Sequence, residues 1–185
     1  MCSHKLYKTV SKHMYIFLCK MMAKSKTLVF VLLLSSVTPV HANSKQISGW
    51  IEHIAITQKN FILTAKIDSG AIHSSIHSES YQIFKKNGVE WVRFSLNNKS
   101  GGTMVIEEPL YRMTNVKLRE NESSQKRPVV KLGICLGNIY KVVEVNIVNR
   151  AKFNYPVLIG RSFLAGQYLV DVELKHLTKP SCHTK

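Results

Sequence analysis

One short run in the sequence has the residue types for acid–base chemistry: Ala65-Lys66-Ile67-Asp68-Ser69-Gly70-Ala71. An apolar, strand-like stretch ends in Asp68, whose carboxylate can take up or give back a proton. Ser69 offers a hydroxyl that can pin the loop, and Gly70 admits backbone conformations that a side chain forbids. Asp-Ser-Gly is also a common turn sequence, so its meaning depends on what stands elsewhere. Far downstream, Tyr155-Pro156-Val157-Leu158-Ile159-Gly160-Arg161-Ser162-Phe163-Leu164 sets apolar residues before a Gly-Arg pair. His73 and His77 are four apart and would form a metal pair only on a shared helix face. Spacing supplies no third ligand, so both are read as structural histidines, and neither metal nor cofactor is expected. The chain has no His-Glu-x-x-His and no phosphate-cradling Gly-x-x-x-x-Gly-Lys.

Taken together, the two segments resemble the retropepsin-like aspartic peptidases over essentially the whole chain beyond residue 42. The likeness extends to a bacterial branch of them. Its members follow the Asp-Thr/Ser-Gly-Ala loop with a Ser-Ser/Ala-apolar-His stretch, here Ser74-Ser75-Ile76-His77. They also carry Arg-Pro-Val-Val, here Arg127-Pro128-Val129-Val130, and Val-Asp-Val, here Val170-Asp171-Val172. That branch often bears the label "ATP-dependent zinc protease", which the residues here do not support. The resemblance implies Asp68 as the catalytic carboxylate, with Ser69, Gly70, Ala71, Gly160 and Arg161 supporting its loop. It further implies a closed β-barrel with a short C-terminal helix, and a flap at residues 118–127. One position departs from the retroviral pattern. Ile72 stands where those enzymes hold a second Asp clamped by the Arg of Gly-Arg, so Arg161 must find another partner.

Aspartic peptidases need two carboxylates that share a proton across a bound water. This chain has one such loop, since Val170-Asp171-Val172 lacks the following Ser-Gly. One chain is therefore half a site, and a two-fold homodimer is expected to complete it. The expected activity is endopeptidase cleavage of extended peptide or protein substrates. The competing reading is a catalytically inactive, peptide-binding module of the cell envelope, because a fold can outlive its chemistry.

The elements that must position these residues are short strands. Residues 47–56, 61–67, 91–94, 104–106, 116–118, 128–130, 139–148 and 168–174 read as strands, with turn signals between them and a polar hairpin tip at 119–127. Helical signal is confined to a turn or two at 78–86 and 161–165. The class is all-β.

Upstream, residues 27–34 are uninterruptedly apolar except for the leading threonine, follow Lys20, Lys24 and Lys26, and precede Pro39-Val40-His41-Ala42. This is the pattern of a secretory signal peptide over residues 1–42, with a true start at residue 21 or 22 as an alternative. The domain then spans residues 43–185 and is expected in the periplasm. Losing the leader removes six lysines and no acids, so the net charge falls from +15 to +9. The remaining charge is scattered rather than bundled. A nucleic-acid partner is therefore not expected, while weak attraction to an acidic envelope surface is. Of the two cysteines left, Cys135 is expected in the core and Cys182 as a free thiol in the tail, with a bridge between them, which an oxidising compartment permits, as the alternative.

Overall fold

The computed structural model describes residues 44–56, 61–116 and 124–182. The leader read at residues 1–42 lies outside them, as do residues 117–123 at the centre of the expected flap. The described chain is nearly all-β. In order it runs β1 (Gln46–Ile56), β2 (Phe61–Ile67), β3 (Ser74–His77), β4 (Tyr81–Lys86), β5 (Val89–Asn97) and β6 (Thr103–Pro109). There follow β7 (Arg112–Val116), β8 (Gln125–Leu136), β9 (Ile139–Val148), β10 (Val157–Ile159), the single helical turn α1 (Arg161–Leu164) and β11 (Tyr168–Lys175).

Period-two patterning builds the core, because successive strand residues face opposite sides. Leu63, Ala65 and Ile67 of β2, and Val143, Val145 and Ile147 of β9, point inward. They meet Leu132, Ile134 and Leu136 of β8 and Phe163 of α1. The eight-stranded sheet has the order β11-β1-β2-β10-β3-β9-β8-β7, and β1 also pairs with β8 through Ile54–Leu136, Ala55–Cys135 and Ile56–Ile134. A second sheet, β4-β5-β6, adds Val92, Phe94, Leu96, Met104 and Ile106 to the same core.

Three expectations need correction. Residues 81–86 are strand, not helix, and end in a two-residue turn at Asn87 and Gly88 with φ of 52° and 79°. Paired left-handed residues match the twist of a hairpin, so this Asn-Gly turn folds β4 back onto β5. Nor is Cys182 free. It is bridged to Cys135, 47 residues away in sequence, with Cα atoms 5.9 Å apart. Backbone contacts to Glu52 and Gly137 carry the tail back across the sheet and so deliver the thiol. Spacing alone could not show that return path. The polar hairpin tip is also shorter than expected, since Gln125, Lys126 and Arg127 already pair with Val116, Asn115 and Thr114.

Candidate active site

Asp68 sits one residue beyond β2, where three strands meet. β10 lies parallel to β2 (Ile159 opposite Ile67) and antiparallel to β3 (Leu158 opposite Ser75), so the downstream motif is threaded between the strands flanking the Asp loop. The Asp68 N–H continues that ladder by donating to the Ile159 carbonyl at 2.9 Å. The side chain is half-buried. Its Oδ1 accepts the Gly70 N–H at 2.9 Å and the Ala71 N–H at 3.3 Å. The loop's own amides therefore orient the carboxylate.

The Gly160-Arg161 pair holds the loop from the other side. A Cβ at Gly160 would stand 2.7 Å from the His73 carbonyl oxygen, so only glycine lets the two backbones approach this closely. The Gly160 N–H donates to the buried Ser74 hydroxyl at 3.1 Å. The Arg161 and Ser162 N–H groups donate to the Ala71 and Ile72 carbonyls at 2.9 and 3.0 Å. The partner that Arg161 lacks at Ile72 is found in the backbone. Its Nη1 donates to the carbonyls of Ser69 (2.8 Å) and Gly70 (2.9 Å). A guanidinium thus does with two carbonyls what an Arg–carboxylate clamp would do. Ile72, with no charge to satisfy, is left 58% exposed beside the loop.

All six residues singled out from the sequence are thereby brought together, and Ser69, Gly70 and Arg161 face solvent. His73 and His77 are not a pair. His77 Nδ1 accepts the Arg150 N–H at 2.8 Å, whereas His73 faces Glu144, which Arg112 already holds at 2.6 Å. Among the described residues no group of three His, Cys, Asp or Glu side chains converges as metal ligands.

Arg150 was missed by sequence reasoning, because it belongs to no motif. It is buried and donates to the Ser75 hydroxyl at 3.0 Å and the Tyr155 carbonyl at 3.2 Å. Burial lowers its pKa, as does the field of Arg127, while Asp68 is near enough to act in the opposite sense. Arg127 is itself half-buried and lowered by desolvation. Two guanidiniums thus stand in electrostatic reach of one another, and Arg150 also of Asp68. Two open cavities of about 460 and 320 Å³ are lined by residues such as His73, Glu144 and Ser162, or His53, Thr64 and Lys99. Neither includes Asp68.

Comparison with known proteins agrees with this geometry. A family profile described as "RimB-like: Retropepsin-like aspartic endopeptidase RimB" matches residues 47–181. A solved structure of a protein of unknown function from Legionella pneumophila is 34% identical with a TM-score of 0.63, covering 74% of this chain and all of that one. Curated relatives carry a different name. A "Probable alpha-L-glutamate ligase" of Shewanella pealeana is 35% identical over 112 residues, 59% of this chain and 24% of the ligase. One from Parasynechococcus marenigrum is 27% identical over 117 residues, 62% and 25%. The chain thus spans about a quarter of the length of these relatives. The profile covers both halves of the site, from the strand that delivers Asp68 to the Gly160-Arg161 clamp, and the chain belongs to the RimB-like family of retropepsin-like aspartic endopeptidases.

Proposed function

We propose that this chain is an aspartic endopeptidase whose active site forms between the Asp68 loops of two copies. The carrying observation is the orientation of the Asp68 carboxylate by the Gly70 and Ala71 amides, on a loop clamped by Arg161. In this reading a water lies between the two carboxylates. The ionised one takes a proton from the water as it attacks the scissile carbonyl carbon, and the protonated one donates to the carbonyl oxygen. The tetrahedral intermediate then collapses as a carboxyl proton passes to the leaving nitrogen. The β1–β8 ladder supports the further reading of the large sheet as a closed barrel. β7 and the start of β8 form the base of a flap over the substrate.

The substrate we propose is a glutamate-rich peptide. The matched segment recurs within relatives named "Probable alpha-L-glutamate ligase", and Arg150, with Arg127 in its own electrostatic reach, supplies positive charge within reach of Asp68. We also propose a secreted, periplasmic protein whose mature form begins at Asn43, to be checked by the intact mass of the processed chain.

The test uses the dimer, a poly-α-glutamate peptide and a neutral control peptide, over a range of pH with and without EDTA. Cleavage of the acidic peptide, bell-shaped in pH and indifferent to EDTA, is expected. Asp68→Asn should lower the rate at least about a hundredfold without unfolding the protein. Zinc-restored activity after EDTA would overturn the mechanism. Absence of any cleavage by a verified dimer would favour a peptide-binding module instead.

A further inference from the structure

The sheet face that carries Asp68 also carries fixed positive charge. Ile67, Ile76, Val145 and Ile147 point into the core. Their neighbours Lys66, Asp68, Ser75 and Asn146 therefore belong to the opposite face, because strand residues alternate. On that face Leu158 of β10 pairs with Lys66 on one side and Ser75 on the other. Ser75 then stands level with Asn146 of β9, and Asn146 with Val129 of β8. Extending the β8–β9 ladder by two residues sets Arg127 beside Val148, with Arg150 two residues further along the chain. Two guanidiniums are thus delivered to the face on which Asp68 stands.

Arg150 is firmly held, and its partners are neutral. It is 8% exposed. Its Nη1 donates to the Ser75 hydroxyl at 3.0 Å and its Nε to the Tyr155 carbonyl at 3.2 Å, and none of these bonds uses Nη2. The guanidinium carbon lies 4.6 Å from the centre of the Phe153 ring. Among the described residues neither Arg150 nor Arg127 is ion-paired with a carboxylate, and Glu144 of the same face is already taken by Arg112 at 2.6 Å. A buried cation with no counter-ion bears an uncompensated desolvation cost. A ligand carboxylate relieves that cost, and the forked N–H groups of a guanidinium suit it best.

The register sets how far this charge lies from the chemistry. Continued by one residue in β2–β10 and by two in β10–β3, the ladders put Asp68 level with Gly160 and His73. Ser75 lies two residues beyond His73 and two strands from β2, about 12 Å from Asp68 at ordinary strand spacings. An extended peptide covers that distance in about two residues plus the reach of a glutamate side chain.

We infer that Arg150, with Arg127 beside it, forms a pocket for the carboxylate of a substrate residue about two positions from the scissile bond, so that two copies of the chain set one such pocket on each side of that bond. The inference rests on the two-copy peptidase proposed above and adds where along the peptide negative charge is read. Bonds inside an acidic run are then preferred to bonds at its edge.

Fluorescence anisotropy on the full chain carrying Asp68→Asn reads binding without requiring cleavage. The labelled peptides carry glutamate on both sides of a central bond, glutamate on one side and glutamine on the other, or glutamine throughout. Arg150→Gln, Arg127→Gln and, as a control of equal charge, Lys85→Gln on the exposed β4 are each added, with far-UV circular dichroism to confirm folding. The two-sided glutamate peptide should bind at least about tenfold more tightly than the glutamine peptide, with the one-sided peptide between them. Each arginine variant should remove most of that preference while leaving glutamine-peptide affinity within about twofold, and Lys85→Gln should keep it. Arg127 is half-buried and bonds the neighbouring Gln125, so Arg127→Gln decides the matter if Arg150→Gln does not fold. Equal or unmeasurable binding of all the peptides would overturn the pocket. So would a one-sided peptide bound as tightly as the two-sided one, a preference that survives the arginine variants, or one that Lys85→Gln lowers as much. If the preference obeys the arginines but the protein with Asp68 intact cuts nothing, the catalytic reading alone fails. If that protein cuts glutamate and glutamine peptides alike, the pocket alone fails.

Discussion

At Gly160 the whole site depends on a missing Cβ. The backbone there passes so near the carbonyls of Ile72 and His73 that a methyl group cannot enter without shifting a strand. Gly160→Ala should therefore cost about 1–3 kcal/mol in a denaturant melt, the range for overpacking a tight contact. It should also loosen the Asp68 loop through the adjoining Arg161 and Ser162 amides. A variant as stable as the parent would show that the approach is not tight. His53 offers a test by pH. Burial first, then the neighbouring His176, lowers its pKa below 6.5, with Lys99 adding to this and Glu52 opposing it. The rings of His53 and His176 stack with centroids 4.3 Å apart. A lowered folded-state pKa means that the unfolded chain binds the proton first as pH falls. The stabilisation is thus complete above about 6.5 and is lost below it. The melting temperature should fall as pH drops from 7 through the folded pKa, and His53→Gln should flatten that fall. An unchanged slope in the variant would assign the pH dependence to other groups. Such contacts are not legible in sequence, because His53 and His176 are 123 positions apart and meet only once the tail has folded back. Asp68-Ser69-Gly70 and Gly160-Arg161 were legible, because the chemistry of a carboxylate loop and the demand for glycine both fall on short, contiguous runs.

Elements were legible in proportion to how local their causes are. Alternation in β2 and β9 marked them as strands with one buried face. The four-residue helix after Gly160 followed from its place in the motif. β4 was misread because Tyr81-Gln82-Ile83-Phe84-Lys85-Lys86 has no clean alternation, and the strand is largely exposed. The better signal was Asn87-Gly88, whose left-handed pair dictates a tight hairpin. The disulfide was misread for the opposite reason. Nothing near Cys182 in sequence announces Cys135, and it is the buried Glu52, with the Ile51 and Gly137 carbonyls, that brings the tail within reach. Closing a 47-residue separation restricts the unfolded chain strongly. Cys182→Ser should therefore lose about 2–4 kcal/mol of unfolding free energy. Loss of well under 1 kcal/mol would mean that the tail frays independently of the sheet.

For the whole molecule, the number of carboxylate loops matters more than the quality of any one of them. One chain orients a single Asp68 and leaves Ile72, Ser69 and Arg161 on an open surface. A reaction that needs two carboxylates then depends on how many chains are paired, and pairing obeys mass action. Above the dimer dissociation constant, activity per milligram should be constant. Well below it the dimer fraction is proportional to protein concentration, so specific activity should fall about tenfold for each tenfold dilution. The dilution series should be run with one peptide at fixed concentration, and its midpoint compared with the dimer dissociation constant measured by sedimentation velocity on the same protein. Coincident midpoints would tie catalysis to the pair. Constant specific activity carried down to concentrations where the protein sediments as a monomer would mean that one Asp68 suffices, and the shared-site mechanism would have to be abandoned.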